Sequence, residues 1–147
     1  MTQAFRISSY ALLVQDDRLL LCRISGSNPS AGEWSLPGGG IDFSEHPEDA
    51  CRREVFEETG LEVELDGLAK VDSETFHYPD RSLQAIRIIY RAHVIGGVLT
   101  SELDGSTDTC EWFPREDALN LPLVPLARLG IELAFTRTAG SQAASVD

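Results

Sequence analysis

Apolar and polar positions along the chain divide it into short elements of changing period. Tyr10–Val14 and Leu19–Cys22 are apolar runs separated by Gln15-Asp-Asp-Arg18, a pattern that predicts a β-hairpin with a polar turn. Ser25–Gly32 is rich in Ser, Gly, Asn and Pro and is expected to be a loop, followed by a brief extended piece at Trp34–Leu36 and a turn at Pro37–Gly40. From Pro47 to Thr59 the pattern becomes helical. Pro47 suits the first helical position, Glu48 and Asp49 favour the positive end of the dipole, and Gly60 is placed to end the helix in the left-handed conformation. His46 is a mediocre cap.

Leu61–Leu65 alternates as a half-buried strand should, and Leu83–Ile95 carries the β-branched and aromatic residues of a longer one. Ala69–Tyr78 is a weaker strand, with turn residues at Pro79–Ser82 and a break at Gly96-Gly97. Glu111–Phe113 predicts a short strand and Pro114–Ala118 a helical turn. Leu126, Leu129, Gly130, Leu133 and Ala134 recur at helical spacing, so Pro125–Thr136 is expected to be an amphipathic helix. Strands mixed with two substantial helices imply an α/β class, most simply an α/β/α layered sandwich around a mixed sheet. One domain is expected over residues 1–137, with the small, polar residues 138–147 a disordered tail.

Charge narrows the function. The 147 residues carry 12 basic and 24 acidic side chains, a formal net charge of -12. So acidic a chain repels nucleic acid polymers and anionic membranes, and it repels a free polyphosphate unless cations intervene. The apolar runs are too short to span a bilayer, and the N-terminus lacks the basic start and apolar core of a signal peptide. Cys22, Cys51 and Cys110 form no CxxC pair and no recognisable zinc or disulfide framework. They are expected to be small buried residues of a cytoplasmic protein.

Within the central helix, Glu54, Glu57 and Glu58 stand at i, i+3 and i+4, placing three carboxylates on one face. Like charges so spaced repel by about 0.2–0.5 kcal/mol per pair. A hard divalent cation with oxygen ligands would relieve this; a solvated acidic face is the plainer explanation of the three glutamates alone. Arg53, four residues before Glu57, is positioned to hold one carboxylate.

The surrounding positions decide between them. From Gly39 the sequence places Glu45, Arg53-Glu54, aliphatic Val55, Glu57-Glu58, Gly60 and aliphatic Leu61 at the spacing Gly-x5-Glu-x7-Arg-Glu-(aliphatic)-x-Glu-Glu-x-Gly-(aliphatic). This resembles the full signature of the Nudix hydrolase family. At usual residue frequencies a chance match at a given start is on the order of 10⁻⁹. Trp34–Gly40 and Glu111–Pro114 resemble the family's lead-in and late strand, so the likeness covers about residues 5 to 135.

The resemblance implies a mixed sheet between helices, with the signature forming a loop–helix–loop. It implies Mg²⁺ or Mn²⁺ held by Glu57 and Glu58, with Glu54 a further ligand or the base that activates water, and the backbone carbonyl of Gly38 as another ligand. Arg53 resembles the arginine that orients a signature glutamate, and Glu45 the first glutamate, which supports the helix. A base from the loop before the last strand is the alternative. Glu102, Asp104, Asp108 and Glu111 lie there, with Asp108 preferred among them and Glu54 ranked above it. Arg23 is the leading candidate to hold substrate phosphate, ahead of Arg81 and Arg87; Trp34, Phe76 and Tyr78 are candidates to stack on a base.

The implied reaction is metal-dependent hydrolysis of a diphosphate linkage in a nucleoside diphosphate derivative. Cues to the substrate conflict. Tyr78, 17 positions past Leu61, points to dinucleoside polyphosphates; Pro79 points to ADP-ribose; Tyr78-Pro-Asp-Arg81 resembles triphosphate-cleaving members. A nucleotide-binding regulatory module without catalysis is the alternative, although such modules lose signature acids and all four are present here. A diphosphate isomerase on the same fold would need a cysteine at the substrate. The partner is expected to be a small nucleotide-type molecule, and a homodimer stays open.

Overall fold

The computed structural model describes residues 2–100 and 105–136. The first strand, β1 (Thr2–Gln15), turns into β2 (Arg18–Ile24) through Asp16 and Asp17. Both have positive φ, 53° and 61°, as a two-residue hairpin loop of the twist-compatible kind requires. Then come β3 (Trp34–Ser35), β4 (Gly38–Gly40), α1 (Pro47–Thr59), β5 (Leu61–His77), β6 (Arg81–Gly97), β7 (Thr107–Pro114), α2 (Arg115–Leu119) and α3 (Pro125–Phe135).

β1 runs parallel to β6 from the pair Thr2–Arg81 to Leu13–Ala92, and β5 pairs antiparallel with β6. The other edge of β1 changes neighbour. It pairs with β4 at Ser8–Tyr10 and with β2 only at Val14 and Gln15, beyond which β2 is flanked by β3 and β7. The mixed α/β sandwich expected from the sequence is therefore present. Alternation along β1 feeds two cores: Ala11 and Leu13 pack with Cys51 and Val55 of α1, while Leu12 packs with Leu126 and Ile131 of α3.

The structure differs from the sequence expectation at several points, among them β1, which begins at Thr2 and not at Tyr10. The turn expected at Pro37–Gly40 is partly a strand, because glycine lets β4 lie against β1. A Cβ at Gly38, where φ is 147°, would meet the Ser9 carbonyl and the Tyr10 ring. The two strands expected near Leu61 and Ala69 are one, since register shifts at Leu65/Gly67 and Leu68/Lys70 interrupt the alternation without ending the pairing. Cys22 and Cys110, expected as separate thiols, face each other across β2 and β7 and form a disulfide. Cys51 is free and buried. The expectation for residues 138–147 lies outside the described residues.

Candidate active site

The helix α1 carries the acidic face and is fixed at both ends. His46 proves a working cap, its Nδ1 accepting the Glu48 N–H at 3.0 Å. Ser9 donates its hydroxyl to the Pro47 carbonyl at 2.8 Å, tying the first turn to β1. At the other end Gly60, with φ 78°, donates its N–H to the Phe56 carbonyl at 2.8 Å.

Arg53 is the hub. Its Nε and Nη2 donate to the two oxygens of Glu45, each at 2.8 Å, while Nη2 reaches the Gly40 carbonyl at 3.1 Å. Its Nη1 donates to Glu54 at 2.9 Å and to Glu57 at 3.4 Å. One planar fork thus orders three carboxylates and the glycine turn, which a lysine point charge could not do. The Arg53 guanidinium, helped by the Asp42 amide, lowers the Glu45 carboxyl from 4.5 to about 2. Arg53 is itself shifted upward, first by its bond to Glu45.

Glu58 is buried. Its carboxylate accepts the Gly38 N–H at 3.1 Å and the Ser106 hydroxyl at 3.4 Å. Glu54 and Glu58 line a cavity of ≈ 310 Å³ with Arg6, Tyr10 and Gly38–Gly40. Gly39 matters sterically, because a Cβ there would run into the Glu54 carboxylate. Glu57 is half exposed and held by Arg53.

Among the described residues no three acidic, histidine or cysteine side chains already converge as a cation cage. The residues nevertheless fit a hard divalent ion. Carboxylate oxygens of Glu54 and Glu58 open into one polar cavity, beside a glycine turn without side chains to block approach. The geometry places the Gly38 N–H on Glu58, giving Gly38 a positioning role besides the carbonyl role expected of it.

A second cavity of ≈ 230 Å³ shares Tyr10, Ile24, Asn28 and Ser35 with the first, so the two form one cleft. Its wall includes Glu33, Glu74, Phe76 and Arg87, and Arg87 Nη1 donates to Glu74 at 2.8 Å. The expected substrate residues therefore separate. Arg87 lies in this cleft. Tyr78 sits at the β5–β6 turn under the Arg81 guanidinium, 5.0 Å from its ring centre, and lines neither cavity. Arg23 donates to Asp108 at 2.8 Å and lies over the Trp34 ring, so a phosphate-holding candidate and the loop-base candidate neutralise each other. Glu111 is exposed on β7. Glu102 and Asp104 lie outside the described residues.

Sequence reasoning missed Arg6, Glu33 and Glu74. Arg6 stands on the early half of β1, before the hydrophobic run that predicted the strand, and only the parallel pairing with β6 brings it to the cleft. A larger cavity, ≈ 460 Å³, lies apart, between Leu12, Arg91 and Phe135, and holds none of the expected site residues. There His93 is shifted upward by its bond to Asp66. No described helix is long and apolar enough to cross a membrane.

Comparison with known proteins agrees with this geometry. The NUDIX domain model matches residues 4–133. A MutT-like protein of Streptomyces ambofaciens is 35% identical over 63% of this chain and 54% of its own length. An RNA pyrophosphohydrolase of Bartonella henselae is 37% identical over 65% of this chain and 47% of its own. The chain thus spans about half the length of these curated relatives. Among solved structures, a MutT NUDIX hydrolase from Burkholderia pseudomallei superposes with TM-score 0.77 at 30% identity, covering 88% of this chain and 97% of that one.

Proposed function

The chain belongs to the Nudix hydrolase family, and on that premise we propose that it is a metal-dependent pyrophosphohydrolase. It cleaves a P–O–P linkage in a nucleoside diphosphate derivative, whether a nucleoside triphosphate, an ADP-ribose-type compound or a dinucleoside polyphosphate. The observation that carries this reading is the Arg53 hub, which orders the signature acids along a cleft that Glu54 and Glu58 line.

Glu54, Glu57 and Glu58, with Gly38 beside them, are the residues that would hold Mg²⁺ or Mn²⁺. An ion held there would acidify water and offset phosphate charge. Glu54 accepts the proton of the attacking water, while Arg53 fixes its carboxylate and Glu45 fixes Arg53. Asp108 is the reserve base, available when Arg23 turns from it to a substrate phosphate. Arg6 supplies further positive charge beside the acids, whereas Arg87, paired with Glu74 and Asp72, lies in the adjoining part of the cleft. The protein is proposed to act in the cytoplasm on small molecules. The relatives' names support the enzyme class, and retention of all four signature acids weighs against a purely binding module.

The test is a panel of nucleoside triphosphates, ADP-ribose, sugar nucleotides and dinucleoside polyphosphates, assayed with Mg²⁺ and with Mn²⁺. Cleavage at a P–O–P bridge is expected, abolished by EDTA and reduced at least about a hundredfold in Glu57→Gln and Glu58→Gln. Activity surviving both substitutions would overturn the reading of the metal site.

A further inference from the structure

We infer that the ≈ 230 Å³ cavity beside the acidic site is a base-recognition chamber suited to guanine, with Glu74 as the specificity-determining residue. This rests on the pyrophosphohydrolase reading only in taking the phosphates to lie at Glu54 and Glu58.

The charge of the chamber excludes phosphate from it. Glu33, Glu74 and Arg87 are its charged lining residues, and Asp72 lies 3.6 Å from Arg87, so acidic groups outnumber the one guanidinium. A polyanion is repelled there, and the uncharged end of a nucleotide is not. Phe76, with the Arg87 guanidinium 5.9 Å from its ring centre, and Tyr10 line the chamber, and Tyr10 belongs to both cavities, so a molecule with phosphates at the acidic site can extend into this one.

The polar groups then choose among bases. Glu74 Oε1 and Arg87 Nη1 make the mutual bond, and the pair stands as a carboxylate acceptor beside a guanidinium donor. Arg87, its side chain 13% exposed, is held beside Glu74 by this bond and by the Asp72 carboxylate. Guanine presents the complementary edge, with a ring N–H and an exocyclic amino group side by side and a carbonyl acceptor next to them. Both donors suit the carboxylate of Glu74, and the carbonyl suits Arg87. Adenine and cytosine each offer one amino group next to acceptors, which leaves a carboxylate oxygen facing a lone pair. Hypoxanthine lacks only the amino group, so it isolates that contact.

Calorimetric binding of GDP, IDP and ADP to the full chain in Mg²⁺ tests this without requiring turnover. GDP is expected to bind about tenfold tighter than IDP or ADP, the usual effect of a lost hydrogen bond to a charged group. In Glu74→Gln the GDP:IDP ratio is expected to fall within about threefold. The ratio is taken within one variant, so partial unfolding cancels. Equal affinities in the wild type, no binding of GDP, or an unchanged ratio in Glu74→Gln each overturn the inference. Base preference without hydrolysis of the wider panel would sink the catalytic reading instead, and hydrolysis without base preference would sink this one alone.

Discussion

Two hydrogen bonds, each 2.8 Å long, join the guanidinium of Arg53 to the two carboxylate oxygens of Glu45. The same guanidinium donates to Glu54 and Glu57, so the lateral position of the acidic face depends on one planar group. Arg53→Lys keeps the charge and loses the fork. The expected result is a fall in kcat of about 10–100-fold with KM changed by less than about threefold, because the substitution moves groups that act on the reacting centre more than those that hold substrate. Steady-state kinetics on the best substrate of the panel checks it. An unchanged kcat would remove Arg53 from the positioning role.

The Glu45–Arg53 pair also sets an acid limit. The Glu45 carboxyl is lowered to about 2 from 4.5, chiefly by Arg53. A carboxyl whose folded value lies below its unfolded value contributes stability that is fully present above about 4.5 and is lost as pH falls from there towards about 2. The Tm of wild type should exceed that of Glu45→Gln most at neutral pH, and the gap should narrow across that acid window. A gap of constant size down to pH 2 would contradict the assignment.

Gly39 is a steric prediction. Its backbone φ is not in the left-handed region, so alanine strains nothing locally, yet the added methyl would collide with the Glu54 carboxylate. Glu54 must swing away while the fold stays intact. Gly39→Ala is expected to keep its Tm within about 3 °C, since changes outside a core or cap cost about 0.5 kcal/mol or less. Its kcat/KM should drop about tenfold to a hundredfold, the usual price of misplacing a catalytic group by an ångström. Thermal melts and kinetics on the same preparation separate the two effects.

The acid-bearing helix was legible because all its determinants are local. Pro47, the 54-57-58 spacing and Gly60 lie within one short segment, and each specifies conformation or chemistry without reference to the rest of the chain. Glu74, Arg6 and Arg87 were harder for the opposite reason. Charged residues in strands usually face solvent, and only the joint register of β1, β5 and β6 turns these three towards one cleft. The bulges in β5 hid that register, since each one moves the apolar set to the other face. Tyr78, which lines neither cavity of the cleft, was hard to place for a related reason. Its distance from Leu61 along the chain says nothing about how far the β5–β6 hairpin carries it from the acids.

Register also joins Cys22 to Cys110, 88 residues apart, and this gives a direct chemical test. Of the three cysteines, only Cys51 is free, and burial pushes its thiol up to about 12. Native protein should therefore react slowly with iodoacetamide. Denatured without reductant, it should take up one carbamidomethyl group per chain by intact mass, and after reduction three. The bond closes a long loop in the unfolded chain, so Cys22→Ser/Cys110→Ser should lose about 2–4 kcal/mol of stability. The Cys110 sulfur lies 3.7 Å from the Glu58 carbonyl, which places the link against the last turn of the acidic helix. Three groups added without reductant would show free thiols at both positions and restore the expectation drawn from composition. One group would instead remove cysteine usage as an argument for a reducing compartment, since such bonds persist chiefly in oxidising ones.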